Sequence, residues 1–459
     1  MRGRNLWIVQ TTLIVTAAVI PLLAWQKVSG WLAVETSASA SAAGYHGGTS
    51  FPKSSLSIVR IPIGSTGRYP PLIANVQIVD VDGDGLKDIL ACDVTKNAVV
   101  WQPQLANGRW GTEQVVVDDL IAPAHAEVVD LDRDGQLDIV VAVLGNIWPD
   151  DGVVGSVVWA QRTSTGFDRH VILDDVRRVA DVQPGDLDGD GDIDLAVAVF
   201  GYARGEILWL ENRGEGRFRR HLLLDGPGAI HIPLADYDGD GDLDIATLLS
   251  QEEEEVFALE NLGNGQFKQQ LLFRSENFDL GIAGLVQTDL DGDGDADLLL
   301  PCGDNLEDQN AYPQAYHGCF WLENLGEWKC APHRIAHLGG TYAVAAGDLD
   351  ADGDSDVAMV SMSNEWQQKE NPSLVWVENL GNRRFRTWQI ANDPIHLVTV
   401  ACGDLNGDGY DDIVAGGLHL RSPFDRQGRI TAWISTPKSV VLFCENPTET
   451  TAYVNQDRK

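Results

Sequence analysis

DLDGDGDID, residues 186–194, is the stretch on which the fold turns. Three aspartates at alternate positions, a glycine at the sixth and a carboxylate at the ninth form a loop that can wrap oxygens around one hard cation, the glycine allowing the sharp turn. The pattern recurs as DVDGDGLKD from Asp80, DLDRDGQLD from Asp130, DYDGDGDLD from Asp236, DLDGDGDAD from Asp289, DLDADGDSD from Asp348 and DLNGDGYDD from Asp404. Successive copies begin 50, 56, 50, 53, 59 and 56 residues apart. An internal period of this length means a repeat architecture.

Working outward, each loop lies between short apolar runs such as VQIV and DILAC, which read as strands. A third run follows (VVWQ, VVWAQ, ILWLEN, VFALEN, CFWLEN, LVWVEN), then a glycine turn and a fourth strand such as RRHLLLD. Four strands per unit and seven units predict an all-β fold, a seven-bladed β-propeller of four-stranded blades spanning 55–447. The last unit runs out of chain after VVLFCEN at 440–446, so LSIVRIPI at 56–63 is expected to supply its fourth strand and close the ring.

The repeats resemble the FG-GAP/VCBS repeats of integrin α-subunit propellers and of large bacterial exported proteins. GEILWLENRG and AIHIPLADYDGDGDLDIATLLSQEEE are most similar to the bacterial group. A Phe-Gly pair occupies a blade position once, at Phe200-Gly201, so the resemblance implies a fold and not an integrin-like adhesive role.

The ligand chemistry points to calcium, up to seven structural ions. In the first copy Asp80, Asp82, Asp84 and Asp88 offer side-chain oxygens and Leu86 its backbone carbonyl. The same positions are Asp130, Asp132, Asp134, Gln136 and Asp138 in the second copy, and Asp186, Asp188, Asp190, Asp192 and Asp194 in the third. They are Asp236, Asp238, Asp240, Asp242 and Asp244 in the fourth, then Asp289, Asp291, Asp293, Asp295 and Asp297 in the fifth. The sixth has Asp348, Asp350, Asp352, Asp354 and Asp356. The seventh has Asp404, Asn406, Asp408, Tyr410 and Asp412, and with one charge fewer is expected to bind most weakly. An EF-hand would place Glu at the twelfth position, where the first copy has Ala91.

With 68 acidic against 33 basic side chains the net charge is −35, which argues against nucleic acid as a partner. Residues 6–25, LWIVQTTLIVTAAVIPLLAW, follow Arg2 and Arg4 and are long enough to cross a bilayer. Residues 1–27 therefore read as a signal anchor or signal peptide, 28–54 as a flexible linker and 448–459 as a C-terminal tail. Either N-terminal reading places the remainder outside the cytoplasm, in the periplasm or at the cell surface, anchored to the membrane or secreted. Six cysteines without a C-x-x-C give no zinc ribbon, though Cys302 and Cys319 flank a long loop that a disulfide would clip.

Function is expected on the face opposite the aspartate loops, where connections from second to third strands vary in length. Candidate contacts there are Trp148 in GNIWPDDGVVG, His317 in PCGDNLEDQNAYPQAYHG and Trp366 in MSNEWQQKENPS, followed by a longer run containing His419 and Phe424. A second candidate lies five residues before each loop, where Asn75, His125, Asp181 and His231 stand in units one to four, with Gln77, Glu127 and Gln183 two residues later. These would line one side of a central channel and suit a second metal, a glycan or an acid/base pair. With no recognised nucleophile motif, the leading reading is a non-enzymatic scaffold, monomeric, that binds a glycan or protein. The alternative is a polysaccharide lyase or hydrolase at the channel mouth.

Overall fold

A computed structural model describes residues 50–64, 72–418 except 107, 149, 252–253, 278 and 305–312, and the strand at 439–445. The apolar segment 6–25, the linker up to residue 49, the tail 448–459 and the run containing His419 and Phe424 lie outside the described residues. Among those described there is no helix, and none long and apolar enough to cross a membrane.

The described residues form antiparallel sheets in a propeller-like arrangement. Unit one is Ile73–Val79, Asp88–Asp93, Ala98–Gln102 and Gln114–Val117, in chain order. Unit five (Val286–Thr288, Asp297–Cys302, Gly318–Asn324, Cys330–Ala336) and unit six (Thr341–Gly347, Asp356–Ser361, Leu374–Asn379, Phe385–Ala391) repeat it. In the last unit, Leu397–Gly403, Asp412–Gly417 and Ser439–Glu445 are joined by the N-terminal strand Ser57–Ile63. Its register runs from Ser57 opposite Glu445 to Ile63 opposite Ser439, which is the strand closure expected from the sequence.

Two units depart from the simple pattern. The fourth strand of unit two and the first of unit three are one strand, Gly166–Gly185, so the two units share a seven-stranded sheet. Unit four splits its first strand into Ala229–His231 and Leu234–Ala235, both paired with Asp244–Leu249. Pro233 stands in the break, and proline has no N–H to give to a ladder.

Packing explains the residue types. Each second strand, from Asp88–Asp93 to Asp412–Gly417, is buried along its whole length because sheets cover it on both faces. Such strands read as continuous apolar runs. The outer Phe218–Asp225 and Phe267–Arg274 instead alternate toward solvent. Among the described residues the buried apolar side chains form seven clusters, six of them shared by two units adjacent in sequence and the seventh by the first and last units. The cycle closes where Val76 and Ile89 of unit one pack with Leu405 and Val414 of the last unit.

Cys302 and Cys319 are buried free thiols on paired strands, so no disulfide clips the loop between them. Desolvation pushes both thiols far above their ordinary pKa, which keeps them neutral and unreactive.

Candidate metal loops and a polar inner edge

The nine-residue loops join first to second strands, so they share one end of the sheets. Backbone geometry follows the glycines: Gly85 at the sixth position has φ +87° with nothing within 4 Å of an added Cβ. The first carboxylate organises the turn. Asp80 Oδ1 accepts from Gly83 N at 2.7 Å and Asp80 Oδ2 from Gly85 N at 2.9 Å, and Asp186, Asp236, Asp289 and Asp404 do the same.

The ninth carboxylate is the buried one. Asp88 Oδ2 accepts from Val81 N and its Oδ1 from Gln104 N at 2.7 Å, tying the loop to the end of the third strand. Asp138, Asp194, Asp244, Asp297 and Asp356 repeat both bonds. Burial raises these groups against the backbone bonds that favour the anion. It takes Asp194 and Asp297 to about 6, and Asp244 and Asp356 to about 7.

In at least five copies the first, third and ninth residues bring carboxylate oxygens within 4.8 Å of one another: Asp80, Asp82 and Asp88; Asp130, Asp132 and Asp138; Asp186, Asp188 and Asp194; Asp236, Asp238 and Asp244; Asp289, Asp291 and Asp297. Each group can hold a metal ion. Two further atoms fit one: Asp130 Oδ1 and Asp350 Oδ1 are buried and accept no hydrogen bond. The fifth-position carboxylates cap the turn instead, as Asp84 Oδ1 accepts from Leu86 N at 2.8 Å and Asp408 Oδ1 from Tyr410 N at 3.0 Å. In the second copy the other oxygen, Asp134 Oδ2, accepts from the seventh residue's Gln136 Nε2 at 2.8 Å.

One set of residues in this region was not singled out from sequence. The asparagines ending the third strands, Asn261, Asn324 and Asn379, donate from Nδ2 to the carbonyl of the second loop residue in the preceding unit: Leu187 O at 2.9 Å, Tyr237 O at 2.8 Å and Leu290 O at 2.8 Å. Arg162 reaches Val81 O and Gln104 reaches Leu405 O from the same position, the latter across the closure. The repeated Glu-Asn of LEN and VEN was the available signal, but its partner lies 74 to 89 residues away in the chain.

At the inner edge, the structure brings the polar slot residues together. His125 Nε2 is 2.7 Å from Glu127 Oε1 and 3.6 Å from Asp181 Oδ1. Gln183 Nε2 lies 3.1 Å from Asp181 Oδ1 and 3.2 Å from His125 Nε2, while Asn75 Nδ2 lies 3.3 Å from His125 Nδ1. Asp181 is 2% exposed and its Oδ2 accepts from Ile232 N at 3.0 Å, an N–H freed by the strand break before Pro233. Burial opposes a charge on His125, but Asp181 and Glu127 outweigh it and raise the imidazole to about 9. His231 Nδ1 stands 3.8 Å from Asp181 Oδ2, and burial with His125 nearby lowers its pKa despite that carboxylate.

The other candidates lie apart from this cluster. His317 is fully buried, and its Nδ1 accepts from Gly340 N at 2.9 Å and Gln314 N at 3.3 Å. It braces the loop that carries it, and burial pulls its pKa down to about 4. Trp366 is half-buried edge-on to His396 at 5.7 Å. Trp148 is 51% exposed on a turn held by Asn146, whose Oδ1 accepts from Trp148 N and whose Nδ2 donates to Asp150. Ala203 N donates to Asp151 Oδ1, bringing the Tyr202 loop of unit three against this one. Tyr202, Ile121, Val153 and Val154 are exposed as well.

Residues 80–141 and 186–247 each match the family profile described as an FG-GAP-like repeat. Both stretches are similar to FG-GAP-like repeats. Each matched stretch starts at the first aspartate of one loop and ends in the second strand beyond the next, so the FG-GAP-like period coincides with the structural one. No curated protein matches the chain.

Proposed function

We propose that the protein is a calcium-stabilised, seven-bladed β-propeller that works outside the cytoplasm as a binding scaffold, reading a glycan or a protein with the loops that join second to third strands. The observation that carries the reading is the exposed group Trp148, Tyr202, Ile121, Val153 and Val154, set beside Asp150 and Asp151 on units two and three. Antiparallel strands put these loops at the end opposite the aspartate loops, so metal and ligand occupy different faces. Apolar rings beside fixed carboxylates and amides match a sugar, which offers an apolar ring face and a rim of hydroxyls.

Seven blades are supported by seven loops in sequence and seven inter-unit clusters arranged in a cycle. Calcium is supported by the all-oxygen donor sets and by the orphaned oxygens of Asp130 and Asp350. An extracytoplasmic location, with the membrane as a partner through residues 6–25, is supported by that apolar run behind Arg2 and Arg4 and by the usual setting of FG-GAP repeat proteins. A monomer is sufficient for the arrangement.

A glycan-array screen of the full chain in millimolar calcium, repeated with chelator, tests the proposal. Expected are calcium-dependent hits that disappear in Trp148→Ala and Tyr202→Ala while the variants melt like the parent. A well-folded protein that binds no glycan leaves the protein-ligand arm, and hits untouched by both substitutions would reject this face.

A further inference from the structure

We propose that His125, Glu127, Asp181 and Gln183 form a site for one divalent transition-metal ion at the inner edge of units two and three, separate from the aspartate loops. The inference does not depend on the calcium reading.

The donor geometry comes first. The Gln183 side-chain amide lies 3.1 Å from Asp181 Oδ1, 3.2 Å from His125 Nε2 and 3.4 Å from Glu127 Oε1, so four metal-capable groups converge on one point. A half-turn of the amide presents Oε1 in place of Nε2, and the set becomes one imidazole nitrogen and three oxygens. Four donors about 2.0–2.2 Å from an ion lie roughly 3.3–3.6 Å from one another. His125 Nε2 and Asp181 Oδ1 already stand 3.6 Å apart, and the 2.7 Å contact between His125 and Glu127 needs to open by less than about 1 Å.

The supporting contacts are those of a built site. Ile232 N–H holds the second oxygen of Asp181, and Gln77 Nε2 holds Glu127 Oε1 at 2.8 Å. Asn75 faces His125 Nδ1, where its amide oxygen can accept the Nδ1–H and leave Nε2 free for a metal. An imidazole donor and only four convergent groups favour zinc, cobalt or nickel over calcium, which wants six to eight oxygens. His231, 37% exposed and facing Gly284, borders the open side from which a further ligand would approach.

Cobalt(II) is the probe. The full chain, saturated with calcium and freed of other metals, is titrated with Co²⁺ and followed by visible absorption and by metal content after dialysis. One equivalent is expected, with the intense visible bands of a four-coordinate nitrogen-bearing site, displaced by Zn²⁺. His125→Gln and Gln183→Leu are each expected to weaken binding at least tenfold, whereas Asp238→Asn in an aspartate loop leaves it unchanged. Asp181 also anchors Ile232, so its variants are not used, and calcium-dependent melting confirms that the others fold. Absence of bound cobalt, or binding that survives both His125→Gln and Gln183→Leu, overturns the site and leaves a proton on His125 as the only cation the cluster holds.

Discussion

Truncating Asn324 to alanine removes three hydrogen bonds in a position only 8% exposed: Nδ2 to Tyr237 O at 2.8 Å, Nδ2 to Ala296 O at 3.1 Å, and Oδ1 from Gly326 N at 3.0 Å. A neutral buried bond contributes about 1 kcal/mol net, and each carbonyl left without a partner adds to the loss, so the expected cost is roughly 2–4 kcal/mol. Asn212 is an internal control. It is equally buried and keeps the bonds to Ile193 O and from Gly214 N, but it lacks the reach to the preceding unit. Asn212→Ala should therefore cost about 1 kcal/mol less, the share of one cross-unit bond. Urea unfolding in excess calcium measures both, with fluorescence of the fully buried Trp321, in the cluster shared by units five and six, reporting the interface. If Asn212→Ala proves as costly as Asn324→Ala, the cross-unit bond contributes nothing and the argument for these asparagines as inter-sheet fasteners fails.

Further outcomes are expected. Calcium at ten times its dissociation constant adds about 1.4 kcal/mol per site, so a chelator should lower the melting temperature sharply, and Asn406→Asp should raise affinity at the seventh loop in a calcium titration. In metal-free protein Asp244 and Asp356 sit near 7, above the usual 3.9 of the unfolded chain. The folded state then binds more protons between about pH 4 and 7, so stability falls as pH rises through that window. Chelated protein should melt lower at pH 8 than at pH 5.5, and calcium should abolish the difference; a chelated sample that melts higher at pH 8 contradicts the assignment. Gly85→Ala meets open space but a φ of +87°, so it should cost about 1–2 kcal/mol by backbone strain alone, measured in denaturant with calcium at saturation. His317→Ala should lower the melting temperature without changing ligand binding, because the imidazole holds backbone N–H groups inside the loop.

Periodic carboxylates, alternating glycines and apolar runs are local signals, and they are legible without coordinates because each acts within about ten residues. From them come the all-β repeat, the positions of the aspartate loops and the use of Ser57–Ile63 to complete the last sheet. Even the polar slot at Asn75, His125, Asp181 and His231 follows from aligning the loops, since equal offset in the repeat means equal height on neighbouring strands. What needed the tertiary structure were distances between side chains and the fate of individual N–H and C=O groups. Only the fold shows that Pro233 breaks a strand and hands Ile232 N–H to Asp181, that His317 is sealed inside its loop, and that Trp148 stays in solvent on a loop tied to the one carrying Tyr202. Only the fold shows, too, that the first, third and ninth carboxylates converge while the fifth caps the turn. A repeat written in sequence sets which residues are equivalent; burial and hydrogen-bond partners, set by neighbours distant in the chain, decide which of the equivalent residues do different things.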